Sequence, residues 1–213
     1  MNLLYQRWLS LTKRLQIPDN QADVLFQEIE KHYNNTNRQY HNLDHLTVLL
    51  HFFEKFKAVL KDPDLVEAAI WYHDIIYDVK QQDNEAQSAL LAKKRLAFSK
   101  LSPSQIEAVS IMIQATKAHK YLADIHPMGT PFLLDFDLAI LGSDWSSYQE
   151  YAQKIRQEYH IYPGDLFNTG RAHALAIFLE RERIYHTSIF HAEREELARS
   201  NLQREIDELS NKN

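Results

Sequence analysis

The chain is predicted to be all-α, on three observations. It carries only 4 Gly and 6 Pro in 213 residues, whereas an all-β fold needs turn residues at frequent intervals. Apolar residues recur with helical spacing along most of its length. Several of these stripes open on recognisable helix-start signals.

The stripe Leu4, Trp8, Leu11 and Leu15 predicts a first helix over residues 2–16. Pro18-Asp19 opens a second, with Val24, Ile29 and Tyr33 inward. Asn42 caps a third, whose stripe is Leu46, Leu49, Leu50, Phe53 and Phe56. Asp62-Pro63 reads as N-cap and first helical residue of a fourth, burying Leu65, Ala68, Ala69, Tyr72 and Ile76. Asp83 or Asn84 starts a fifth, running through Ala89-Leu90-Leu91 to Leu96. Ser102-Pro103-Ser104-Gln105 has the form of a capping box with proline at the first helical position. The helix it starts carries Ile106, Val109 and Ile113. Residues 119–130 read as a loop, and Pro131 starts an unusually apolar helix to Leu141. Further helices are expected over 144–160, 171–180 and 192–211. The last is laced with charge above Leu197, Leu202, Ile206 and Leu209. No repeat, linker or low-complexity segment divides the chain. A single domain over 1–213 is expected, with a core at about 38–142 and the C-terminal helices 143–213 packed on it.

Bulk chemistry narrows the function. The 24 basic and 29 acidic residues give a net charge of -5, without the basic footprint of a nucleic-acid binder. A small anionic substrate stays open, because local field outweighs net charge. There is no cysteine, so any metal must be held by His, Asp or Glu. The start, MNLLYQRWLSLTKRLQ, is broken by Arg and Lys, and no apolar run is long enough to span a bilayer. A cytoplasmic protein with no membrane partner is expected. The sequence sets no oligomeric state.

Three segments point to a metal. In AAIWYHDIIYD, His73 and Asp74 interrupt an apolar and aromatic run, and a carboxylate there needs a cation or donors. Asp137 has Leu133, Leu134, Ile140 and Leu141 as its helical neighbours, so its carboxylate is expected to point into the core. Asp135 lies about 160° around the same helix, where a cap, a salt bridge or contact with a ligand residue is expected. His45 falls in the first turn of the helix capped by Asn42, where the positive helix end favours the neutral, metal-binding imidazole. Two imidazoles and two carboxylates suit one divalent cation, Mn, Co, Ni, Fe or Zn in preference to Mg.

His45, His73-Asp74 and Asp137 occur in the order H…HD…D, which resembles the HD superfamily of metal-dependent phosphohydrolases. The flanking segments Arg38–Asn42, Trp71–Asp78, Asn84-Glu85 with Ser88-Ala89, Asp135–Gly142 and Ile155–Tyr159 are similar to those of an uncharacterised subgroup of predicted HD-type phosphohydrolases. The likeness extends over about residues 5–205. It implies an HD-type helical bundle around the metal, held by His45, His73, Asp74 and Asp137, and hydrolysis of a phosphorylated metabolite, nucleotides included.

Asp78 follows Asp74 by one helical turn and would share its face, as an acceptor of the water proton. In the ppGpp-hydrolysing members a Glu and an Asp stand at the positions of Tyr77 and Asp78; here the Glu is replaced. Arg38, Arg156 and His119 are the expected contacts to phosphate oxygens. Glu85 reads as a first-turn acid or an orienting group. His41 and His45 form an H-x₃-H pair without the Glu that a zinc peptidase needs. Two other readings accompany the hydrolase. A di-iron oxygenase of HD type would recruit His119 and His126, and a non-catalytic metal or nucleotide sensor would keep the fold alone.

Overall fold

A computed structural model describes residues 3–211. Among these there are ten α-helices, two short 3₁₀ segments and no strand. The all-α expectation holds. The chain forms two compact units, Met1–Phe136 and Asp137–Asn213.

The first unit contains α1 (Leu3–Arg14), α2 (Asp19–Tyr33), α3 (Leu43–Phe56), α4 (Pro63–Tyr72), α5 (Asn84–Leu96), α6 (Pro103–Ala115) and α7 (Thr130–Asp137), the last ending at the boundary. Helix α4 is its centre, with every residue from Leu65 to Tyr72 buried. Trp71 packs edge-on against Trp8, with ring centroids 5.4 Å apart. The Trp8 indole donates to the Ala22 carbonyl at 2.8 Å, tying α1 to α2. The buried carboxylate on α4, Glu67, is met by Arg7 and Arg14 from α1. Most predicted starts are observed. Asn42 caps α3 through the Asp44 N–H, and both bonds of the Ser102–Gln105 capping box form.

Two sequence expectations fail here. Val24 is 58 % exposed; α2 instead buries Ala22, Leu25, Phe26, Ile29 and Tyr33. Helix α4 stops at Tyr72, so Ile76 and Asp78 are not on it. Its end is set from outside. Arg38 donates to the carbonyls of Asp74 and Ile75 at 2.7 and 2.8 Å, and Ser88 Oγ takes the Ile76 N–H at 3.0 Å. Groups that a continuing helix would pair internally thus find partners elsewhere.

Phenylalanines join α3 to α7. Phe136 stacks on Phe52 and Phe56, each at 6.0 Å, and Phe132 lies 5.9 Å from Phe56. This packing fixes the helix that ends in Asp137 against the helix that begins beside His45.

The second unit holds a 3₁₀ segment (Leu138–Gly142), α8 (Trp145–Glu158), α9 (Gly164–Leu179) and α10 (Ser188–Ser210). The expected α-helix to Leu141 is a correction: the α form ends at Asp137. The 3₁₀ carbonyls are taken by side chains. Tyr185 bonds Leu138, Arg194 bonds Ala139 and Gly142, and Asn201 bonds Leu141 and Ser143. Asn201 and Glu205 therefore occupy the buried face of α10, and Leu197, expected inward, is 50 % exposed. Helix α9 starts at Gly164 rather than 171. Among the described residues no helix is long and apolar enough to cross a membrane.

Candidate metal centre

His45 occupies the third position of α3, and His73 and Asp74 follow the last residue of α4. His45 and His73 are buried, at 3 % and 0 % exposure, while Asp74 and Asp137 are half-buried. One ligand atom from each of His45, His73, Asp74 and Asp137 lies within 4.8 Å of the other three. Among the described residues this is the one group of its kind.

The donor atoms are specific. His45 Nε2 lies 3.2 Å from His73 Nε2. Asp74 Oδ2 lies 3.2 Å from His73 Nε2 and 3.8 Å from His45 Nε2. Nitrogen and oxygen donors sit about 2.0–2.2 Å from ions of the zinc class, so neighbouring donors around one ion are about 3.0–3.5 Å apart. The two 3.2 Å gaps fit that spacing, and the 3.8 Å gap between His45 and Asp74 is slightly wider. His73 Nδ1 faces the Ile70 carbonyl at 2.9 Å, a contact that places the ring proton on Nδ1. Nε2 then presents its lone pair to the cluster, the usual arrangement for a metal-binding histidine. A His-His-Asp-Asp group of this kind could hold a metal ion.

No protein-family model, curated protein or solved structure matches the chain.

Arg38 stands behind the cluster rather than in it. It is 6 % exposed. Its Nη1 donates to the carbonyls of Asp74 and His41, at 2.7 and 3.3 Å, and Nη2 to that of Ile75. Its guanidinium carbon lies 5.0 Å over the Tyr33 ring and 5.5 Å over Tyr77. Both terminal nitrogens are therefore engaged in holding the backbone of the His73-Asp74 segment. Arg156 holds a different loop: its terminal nitrogens donate to the Tyr159 and Tyr162 carbonyls at 2.9 and 3.1 Å.

Asp78 is exposed, and its Oδ1 accepts the Lys80 N–H at 2.9 Å. It does not share a helix face with Asp74, because α4 has ended. Asp78 and Arg38 both line a groove of about 440 Å³, together with Tyr77, Asn84 and Gln87. His119 follows α6 with φ +45°, its N–H bonded to the Ala115 carbonyl at 2.9 Å. This is a helix-ending conformation that histidine tolerates better than bulkier residues. His126 Nδ1 accepts the Leu122 N–H at 2.9 Å. Neither His119 nor His126 belongs to the cluster.

Sequence reasoning undervalued His41. Its ring stacks on Tyr77 at 4.4 Å and sits 5.6 Å from the His45 ring, with Tyr40 also packed beside both histidines. The available signal was the four-residue spacing of His41 and His45 across the α3 cap. The relative depth of the two α7 carboxylates was also misjudged. Asp135 is fully buried and Asp137 half-buried. Once the α form ends at Asp137, Ile140 and Leu141 no longer occupy its i+3 and i+4 helical positions.

Proposed function

We propose that the chain is an HD-type, metal-dependent hydrolase of small phosphate esters or anhydrides. The observation that carries this reading is the convergence of His45, His73, Asp74 and Asp137 donors within 4.8 Å, in the sequence order that the resemblance implies. A divalent cation in such a site supplies Lewis-acid charge to a phosphoryl oxygen and acidifies water.

The chain's own residues do the rest. The Ile70 carbonyl keeps His73 in its ligating tautomer, and Arg38 fixes the backbone that carries Asp74. The half-buried carboxylates leave the site open to a small anionic substrate, nucleotides among the options. His41, Tyr40 and Tyr77 form an aromatic wall beside His45. His119 is retained as a donor to phosphate oxygen. Asp78 is retained as the proton acceptor, with water access through its exposed side. Support for one cation rather than a di-iron pair comes from His119 and His126 standing outside the cluster.

The test is metal counting on the purified chain, followed by a screen of phosphorylated metabolites and nucleotides with Mn, Co, Ni and Mg. One cation per chain and phosphate release that stops on chelation are expected. Two irons per chain, lost with His119→Ala and His126→Ala, would turn the assignment to an oxygenase. Bound metal with no turnover across the panel would leave a sensor.

A further inference from the structure

The groove lined by Arg38 and Tyr77 lies in the first unit, and both residues also reach the segments that carry His45 and Asp74. Arg38 bonds the Asp74 and Ile75 carbonyls. The Tyr77 ring stacks on His41, whose own ring lies 5.6 Å from that of His45. The frame of the groove is pinned. Asn84, at the start of α5, clamps Asp78 by donating to its carbonyl at 2.9 Å and accepting its N–H at 3.1 Å. Ser88, one turn on, accepts the Ile76 N–H. Its volume of about 440 Å³ falls in the range of about 300–1,000 Å³ usual for small-molecule sites.

The ionised lining is net negative. Asp78 and Asp83 supply carboxylates, against the single guanidinium of Arg38. The Nη atoms of Arg38 are committed to the carbonyls of His41, Asp74 and Ile75. His32 adds no charge at neutral pH, because burial, with Arg38 beside it, lowers its pKa. The rest of the lining offers the side-chain amides of Asn35, Gln81, Asn84 and Gln87. Asp78 engages Oδ1 with the Lys80 N–H, and Asp83 engages Oδ2 with Gln87 Nε2. Each carboxylate keeps a second oxygen that can accept. Such a lining takes hydrogen bonds from hydroxyls or an ammonium and repels a phosphate.

We propose that this groove is the leaving-group subsite of the hydrolase, and that the substrate is a phosphate monoester whose leaving group carries hydroxyl or amine donors and no further phosphate. The proposal rests on the hydrolase reading of the quartet and narrows it from esters and anhydrides to monoesters. Asp78 serves both halves of the reaction. It accepts a proton from the attacking water as the water oxygen bonds to phosphorus. From its place in the groove it returns that proton to the leaving oxygen as the P–O bond breaks, so an alcohol and inorganic phosphate depart. Polyphosphates and bisphosphates are rejected by repulsion from Asp78 and Asp83 rather than by size.

The experiment measures kcat/KM of the Mn(II)-loaded full-length chain on matched probes. Glycerol phosphate is set against glycerol bisphosphate, and glucose monophosphate against glucose bisphosphate. Glycerol phosphate and ethanolamine phosphate are each set against propyl phosphate, whose leaving group brings no second hydroxyl and no amine. The donor-bearing monophosphates are expected to lead by at least about tenfold. Whichever of glycerol phosphate and ethanolamine phosphate leads supports the subsite and tells hydroxyl from ammonium. Gln87→Lys keeps a good helix former at an exposed position of α5 and adds a cation to the groove. Its preference against the bisphosphates should fall about tenfold. If that variant does not fold, Asp83→Asn removes one charge, keeps the acceptor for Gln87, and should lower the same preference several-fold. Equal rates within the pairs, a lead for the bisphosphates, or the wild-type ratio in the folded variant overturns the proposal. Failure of the hydrolase reading shows separately, as no bound Mn(II) or as bound Mn(II) with no turnover on any probe. Calorimetric binding of the same pairs then decides the groove. An affinity about tenfold higher for the monophosphates supports it, and equal or absent affinity overturns it.

Discussion

The Nε2 atoms of His45 and His73 stand 3.2 Å apart, on residues 28 positions apart in sequence. With the His73 proton on Nδ1, at least one of these nitrogens offers a lone pair in a buried site, and a shared cation satisfies both. His73→Ala and Asp137→Asn are therefore each expected to lower bound metal at least about tenfold. Metal should raise the unfolding midpoint of the native chain, since ligand that binds the folded state alone stabilises it. It should leave that of Asp137→Asn nearly unmoved. Metal content by mass spectrometry and paired thermal scans check both; full metal in both variants removes the quartet.

Asp78→Asn isolates proton chemistry from structure. An Asn side chain retains the oxygen that accepts the Lys80 N–H, so the turn after Tyr77 is preserved. If Asp78 accepts the water proton, turnover on a substrate found in the screen falls about 10² to 10⁴-fold, with metal content unchanged. Turnover equal to wild type would take Asp78 out of the mechanism.

His73-Asp74, His45 and the helical fold were legible because their signals are local: an ionisable pair in an apolar run, a cap, a 3.6-residue stripe. The end of α4 was not. Ile75-Ile76-Tyr77 continue an apolar and aromatic pattern, and the break depends on Arg38, 36 residues upstream of Asp74. The same reason hides a polar cluster in the second unit, where Arg171 on α9 bonds Glu205 on α10 and Tyr151 on α8. Nothing in the sequence around Glu205 marks it as inward, since a glutamate amid Arg204 and Asp207 reads as solvated surface. Helix α9 lost its first turns to sequence reading because Gly164, Asn168 and Gly170 are weak helix formers. Propensity there is overridden by packing on α10.

Glu195 should give the second unit a distinct acid response. Burial pushes its carboxyl up, but the N–H groups of Ile184 and Tyr185, with Arg199 and His191, hold it below its usual range. A carboxylate whose folded pKa is depressed contributes stability above its unfolded value, about 4.3, and loses it as pH falls through the folded one. Glu195→Gln is expected to cost about 1–3 kcal/mol at pH 7, towards the lower end because the site is partly open to water. The deficit should shrink as the pH is lowered. Urea unfolding at pH 7 and in the acid range measures it, and a pH-independent deficit would contradict the assigned cause.

Two glycines should respond to alanine with opposite sign. Gly142 closes the 3₁₀ segment that follows Asp137, and an added Cβ would lie 2.6 Å from Arg194 Cβ, 2.6 Å from its carbonyl oxygen and 2.9 Å from Tyr185 Oη. Two of those atoms are backbone or rigidly attached to it, so the segment itself must shift. Overpacking of this kind costs about 1–3 kcal/mol. Gly170 lies inside α9 with nothing within 4 Å of its would-be Cβ. Its φ is negative, as for every described glycine. Gly170→Ala therefore gains about 0.5–1 kcal/mol of helix stability. In a chain of this size that is a rise of roughly 2 °C, against a fall of several degrees for Gly142→Ala. The two variants also separate stability from site geometry. The 3₁₀ carbonyls held by Arg194 and Asn201 begin just after Asp137, so displacing Gly142 should weaken Mn(II) binding as well. Gly170→Ala should leave that affinity at the wild-type value. Calorimetric scans and Mn(II) titrations on both variants decide the matter: unchanged metal affinity in a destabilised Gly142→Ala would show that the 3₁₀ clamp does not position Asp137.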